Sequence, residues 1–118
     1  MKVPVYIINM KKDVERREAV LAECRKYGME PEIVEAIRGS ELSPAEIDKY
    51  TYDFENMALT KAEIGCALSH LKAYEKIIAE NVDLALILED DIRFADHINH
   101  VIEEIASFND TVSDKPFI

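Results

Sequence analysis

Metal-binding cysteine patterns, membrane-length apolar runs and an excess of cations are all missing from this chain, and each absence removes a class of protein. Its two cysteines, Cys24 and Cys66, form no CxxC pair, so neither a zinc knuckle nor a disulfide framework is expected. Both fall within helical patterns, where a free cysteine serves as a small core residue. No apolar run approaches the roughly 20 residues of a membrane span, and the apolar stretch of MKVPVYIINM is too short for a secretory signal. The cytoplasm is the default compartment. Lys and Arg number 14 against 24 Asp and Glu, a net charge of −10. That balance argues against a nucleic-acid partner, because such binders supply basic patches to neutralise phosphates. An anionic substrate would need a bound cation or a local basic cluster. No internal repeat or low-complexity linker interrupts the 118 residues, which read as one small domain or a part of a larger one.

What is present is a regular alternation. Residues 3–8 form a short β-rich run, with Pro4 near its start, that suits a buried strand. Asp13 then offers an N-cap, and Val14, Val20, Leu21, Cys24 and Tyr27 trace an apolar helical face that stops at Gly28. PEIVEAIRG, residues 31–39, reads as a second strand, and SPAE at 43–46 starts a short helix through a capping pattern with Pro at its first position. YTYDFENMAL is aromatic and aperiodic and is expected to be a loop. A second capping pattern, Thr60 with Glu63, opens a long helix with Ile64, Ala67, Leu68, Leu71 and Ile78 at helical spacing. Residues 84–88 are apolar throughout, which predicts a central strand covered on both faces. A last helix is expected from Asp96 to about Phe108, with His97 and His100 on its polar side. This alternation implies an α/β fold with a mainly parallel sheet.

Three carboxylates, Glu89, Asp90 and Asp91, end that apolar run. Two like charges about 4 Å apart repel by about 1 kcal/mol even in bulk water, so a positive partner is expected beside them. In parallel sheets ligands collect beyond the carboxyl ends of the strands. Asn9, Lys11 and Lys12 follow the first strand, with Arg16 and Arg17 one turn into the next helix, and both clusters can face one crevice. Carboxylates without CxxC or paired imidazoles suit a hard cation, Mn²⁺ or Mg²⁺, completed by water and substrate phosphates. The bland alternative is a solvated acidic turn. A phosphoacceptor receiver domain is excluded, since it places its acids on the first strand and needs a later Asp and Lys that the 27 residues after Asp91 cannot accommodate.

VYIINMKKDVERRE, ALTKAEIGCALSHLKAYEKII and ALILEDDIRF occur in that order, and the ordered set resembles the family 25 glycosyltransferases, the bacterial lipopolysaccharide and lipooligosaccharide galactosyltransferase group. The resemblance implies a nucleotide-binding, Rossmann-like half of the glycosyltransferase A type. UDP-galactose would be the usual donor and a sugar of a growing glycolipid or oligosaccharide the acceptor. It also implies a metal on the donor diphosphate, held by Glu89, Asp90 and Asp91, with Asp91 the preferred direct ligand. Asn9, Arg16 and Arg17 match the N-terminal motif and are expected in the nucleotide pocket. Thr60, Gly65, Ser69 and His70 match the middle motif. Gly65 would let a backbone or ligand approach closely, and His70 shares a helical stripe with Cys66 and Tyr74. No residue is assigned as general base.

Family members are longer, and KPFI at the end of this chain looks like the opening of a further strand, so a truncated domain with an uncovered edge and a tendency to self-associate is expected. Acceptor-dependent transfer by this chain alone is not expected. Peripheral association at the cytoplasmic face of the inner membrane would follow from a glycolipid acceptor. The alternative function is a non-catalytic relative that binds a ligand or a protein partner.

Overall fold

The computed structural model of the chain describes residues 3–56 and 58–111. Its elements are β1 (Val5–Asn9), α1 (Val14–Lys26), β2 (Glu32–Glu35), α2 (Pro44–Tyr50), α3 (Lys61–Ala79), β3 (Leu86–Glu89) and α4 (Ile98–Thr111), with 3-10 turns at Gly39–Glu41 and Phe54–Asn56. The strands form one sheet in the order β2-β1-β3, and both pairings are parallel, with Ile7 level with Ile33 and Leu88. This is the α/β architecture with a parallel sheet that the alternation of elements predicts. The strand expected from Pro116 to Ile118 lies outside the described residues.

Local chemistry explains most boundaries. Gly28 takes φ +75° and closes α1, with the Met29 N–H returning to the Cys24 carbonyl, as a left-handed C-terminal residue allows. Ser43 and Glu46 complete a capping box on α2, and Thr60 and Glu63 complete one on α3. α3 ends where Asn81 adopts φ 56°. Asp13 occupies the N-cap of α1, but its side chain makes no capping bond. Its carbonyl is used instead, accepting from the Arg17 N–H and from Asn9 Nδ2.

β1 is the buried strand, with all five residues buried, as a parallel strand paired on both sides requires. β3 was expected in the centre, but among the described residues it pairs only with β1 and its run from 84 to 87 is half-buried. Its apolar content has a different cause. Leu86 and Leu88 face the cluster built on Val5, Ile7, Val20, Cys24 and Met29, whereas Ala85 and Ile87 face the one built on Tyr6, Ile8, Val34 and Ala73. Both faces of β3 are therefore in contact with core, although one edge is open.

The chain steps from β2 across β1 to β3, so α1 and α3 cover opposite faces of the sheet. α1 buries Val20 and Cys24, as its pattern predicts. α3 differs from expectation: it buries Ile64, Gly65, Ser69 and Ala73, while Leu71 and Ile78 are exposed. Small side chains let the helix backbone come close to the sheet, and that close approach outweighs the hydrophobicity of the larger residues. α4 starts at Ile98 rather than Asp96, with Ile98 and Ile102 against the α1 face, but Phe108 is exposed. His97 and His100 are exposed, and His100 pairs with Glu104 at 3.0 Å.

Candidate functional site

The strand order reverses at β1, with β2 on one side of it and β3 on the other; this is a topological switch point, and open parallel sheets bind ligands in the crevice outside the carboxyl ends of strands at such points. A cavity of about 430 Å³ lies there, within the usual range for small-ligand sites. It is lined by the apolar Ile8, Ala36 and Ile37, by the carboxylates of Asp13, Glu89, Asp90 and Asp91, and by the cations Arg16, Arg38 and Lys61. Of the basic cluster expected to share a crevice with the acidic trio, only Arg16 lines it; Arg38 and Lys61 are the other cations there.

Asn9, Arg16, Arg17 and Asp90 meet at the end of β1. Asn9 Nδ2 donates to Asp90 Oδ2 at 2.8 Å, Arg17 Nη1 donates to Asn9 Oδ1 at 3.1 Å, and Arg16 Nη1 stands 3.7 Å from Asp90 Oδ1. Arg17 also donates to the Lys11 carbonyl. Lys11 and Lys12 are exposed turn residues that do not line the cavity. Further along, the Phe94 N–H donates to the buried Glu23 at 2.7 Å, so the acidic turn is tied to α1 as well as to β1.

The opposite wall is built by a close approach of backbones. A Cβ on Gly65 would lie 2.5 Å from the Gly39 nitrogen and 2.8 Å from the Ile37 carbonyl oxygen, and one on Gly39 would overlap the Lys61 carbonyl. Gly65 thus admits a backbone, one of the two roles its motif implied. Ser69 Oγ accepts the Ile37 N–H at 2.8 Å and donates to the Gly65 carbonyl at 2.7 Å. These contacts hold the segment after β2 against α3 and place Arg38 at the rim. Thr60 caps α3 and does not line the cavity, whereas Ser69 and His70 do.

Cys66 is exposed in this crevice rather than in the core, in contrast to Cys24. Its Sγ is 3.8 Å from Glu89 Oε1 and 3.9 Å from His70 Nδ1. Loss of solvent around the sulfur, and then the Glu89 carboxylate, push its pKa above the ordinary thiol value. His70 Nδ1 lies 3.0 Å from the Cys66 carbonyl. A carbonyl only accepts, so Nδ1 carries a hydrogen. His70 also stacks edge-on with Tyr74.

The donor chemistry fits a hard cation of the sparsely ligated kind. Among the described residues no three His, Cys, Asp or Glu side chains converge on one point, yet Mg²⁺ is commonly held by one or two carboxylates plus water and phosphate oxygens. Asp90 is engaged by Asn9 and Arg16, Glu89 by Cys66, and Asp91 is exposed at the cavity with no partner among the described residues. Arg38, Lys61 and Cys66 were not singled out from the sequence as site residues. Arg38 lies near the carboxyl end of the stretch read as the second strand, which was the available signal; Lys61 and Cys66 reach the crevice only through the packing of α3.

A profile of glycosyltransferase family 25 (LPS biosynthesis protein) matches residues 2–117, and the chain belongs to that family. It is 30% identical over 98 residues to procollagen galactosyltransferase 2 of Mus musculus, covering 76% of this chain and 16% of the relative. It is 35% identical over 102 residues to a glycosyltransferase 25 family member of Anopheles gambiae, covering 76% and 17%. It is also 28% identical over 109 residues to inactive glycosyltransferase 25 family member 3 of Homo sapiens, covering 86% and 18%. The chain spans between 16% and 18% of the length of these curated relatives. Among the described residues no helix is long and apolar enough to cross a membrane.

Proposed function

We propose that the chain forms the donor side of a glycosyltransferase site that takes a UDP-hexose, with galactose the favoured sugar, for transfer to a hydroxyl of a glycolipid or oligosaccharide. The observation that carries this reading is the meeting of Arg16, Arg38 and Lys61 with Glu89 and Asp91 around one switch-point crevice. A nucleoside diphosphate requires positive charge, and a chain of net charge −10 supplies it at this place. Arg16, steadied by Asp90, and Lys61, at the start of α3, would flank the phosphates. The apolar lining at Ile8, Ala36 and Ile37 would exclude water around the ligand. Glu89 and Asp91 would hold Mn²⁺ or Mg²⁺, whose charge stabilises a departing diphosphate. Galactose is favoured because the mouse relative is named a procollagen galactosyltransferase, and a glycolipid acceptor because the family description includes LPS biosynthesis. Action in the cytoplasm at a membrane face belongs to the same reading.

Calorimetry of the chain with UDP-galactose and Mn²⁺ tests it. Saturable binding is expected, abolished by a chelator and by Asp91→Asn without loss of far-UV circular dichroism. Equal affinity for a GDP-sugar would remove the uridine part of the proposal. A second reading, a non-catalytic ligand- or protein-binding relative, is favoured by the similarity to a human family member named as inactive; absence of any nucleotide-sugar binding would select it.

A further inference from the structure

Resting on this donor-site reading, we propose that Asn9 is a positioning residue: it fastens Asp90 to the end of β1, making Asp90 an anchor and leaving Asp91, with Glu89, to face the ligand. Asn9 is 1% exposed. Its Nδ2 donates both to Asp90 Oδ2 at 2.8 Å and to the Asp13 carbonyl at 3.2 Å, and its Oδ1 accepts from Arg17 at 3.1 Å. Both amide hydrogens are therefore used, and the orientation of the amide is unambiguous. A flipped amide would turn its NH₂ toward the guanidinium and its oxygen toward the carboxylate.

The chemistry of position 9 follows from these partners. An aspartate there would set two carboxylates at hydrogen-bond distance, and an apolar residue would strand the Asp90 oxygen. The Asp90 side chain is only 12% exposed and has Arg16 as a second partner, so recruiting it to a cation would break contacts that are already made. Asp91 has no such commitments among the described residues. Because Glu23 fixes the far end of the turn at Phe94, the Asp91 carboxylate is presented from a segment restrained at both ends. Supporting hydrogen bonds of this kind set the orientation of groups that contact a metal or substrate.

A double-mutant cycle read by urea denaturation of the full chain tests the anchor. For Asn9→Ala and Asp90→Ala, the pair should depart from the product of the single effects on the unfolding constant by about fivefold or more, whereas Asn9→Ala with Asp91→Ala should multiply simply. Additive effects of Asn9 and Asp90 would overturn the proposal. Should Asn9→Ala not fold, Asn9→Ser takes its place in the cycle.

The second arm exchanges the partners. Asn9→Asp alone opposes two carboxylates; combined with Asp90→Asn it again sets one amide against one carboxylate. Mn²⁺ binding in the presence of UDP, read from the electron paramagnetic resonance signal of free Mn²⁺, should weaken at least about tenfold in Asn9→Asp, and the exchange should recover most of that loss; about tenfold corresponds to 1.4 kcal/mol. If the exchanged protein binds as poorly as Asp91→Asn, Asp90 is itself a ligand and the division of labour is wrong. A parent chain that binds no Mn²⁺ with UDP would overturn the donor-site reading, while the urea cycle would still decide whether Asn9 holds Asp90.

Discussion

The two faces of the sheet are held in different ways. On the α1 face the core consists of side-chain volume: Val5, Ile7, Val20, Cys24, Met29 and Leu88 are buried together, with Tyr27, Phe94 and Ile102 packed around them. On the α3 face the buried cluster is smaller, Tyr6, Ile8, Val34 and Ala73, and the helix approaches through Gly65, Ser69 and Ala73. Tyr6 Oη, at this face, donates to Glu80, and Ser69 bonds the backbone after β2. One face is stabilised by area removed from water; the other depends on close backbone contact and hydrogen bonds. The crevice opens at the upper end of the second face, where polar contacts already define the geometry.

This contrast predicts opposite responses to side-chain size. Ile7 is 0% exposed at the centre of the first face, so Ile7→Ala should lose about 2–5 kcal/mol of stability through lost transfer energy and a residual cavity. A loss under about 1 kcal/mol in urea denaturation would mean that this face can collapse and is not the rigid one. On the second face the damaging change is enlargement. Gly65→Ala would gain about 1 kcal/mol of helix propensity, but its Cβ would stand 2.5 Å from the Gly39 nitrogen, and overpacking of this kind costs about 1–3 kcal/mol. Net destabilisation is therefore expected, together with weakened ligand binding as the segment carrying Arg38 is pushed outward; a stabilised variant with unchanged binding would break the comparison.

The smallest effect separates the two cysteines. Cys24 is 0% exposed on the first face, whereas Cys66 is exposed at the crevice. Iodoacetamide should label Cys66 alone in the native chain and Cys24 only after unfolding. Because loss of solvent and Glu89 raise the Cys66 pKa, its thiolate fraction near neutrality is below that of an ordinary cysteine. Labelling should therefore be slow at neutral pH and continue to accelerate above the ordinary thiol range, and Glu89→Gln should shift the profile down in pH and speed labelling a few-fold. A profile unchanged by that substitution would show that the carboxylate does not act on the sulfur.

The first face was well marked in the sequence, because large apolar residues at helical and strand spacing are the ones that fill a volume. The second face was not. The stripe Ile64, Ala67, Leu68, Leu71 and Ile78 suggested a buried side for α3, but hydrophobicity favours large residues, while the fit between α3 and the backbone after β2 selects small ones. Ser69 and Gly65 belong to a recognisable motif, yet their partners Ile37 and Gly39 lie in a segment read only as a strand and its end. The acidic turn was placed correctly at the end of a strand, and the family resemblance already preferred Asp91 as the direct ligand, but no local feature of the sequence marks Asp90 as the carboxylate held by Asn9 and Arg16. Only the neighbours from β1 and α1 do so.

By itself the sequence determined the elements whose causes lie within a few residues: the capping boxes at Ser43 and Thr60, the left-handed stop at Gly28, the apolar run of β1 and the charged turn after β3. Caps and turns are made by groups up to about five residues apart, so composition and spacing suffice to specify them. Tertiary structure decided which strand stands at the centre, which side of α3 is buried, and which carboxylate is committed. Asn9 and Asp90 are 81 residues apart, and Gly39 meets Gly65 only after β1, β2 and α3 have assembled. Such contacts depend on distances of a few tenths of an ångström between distant segments, a quantity that no periodicity along the chain encodes.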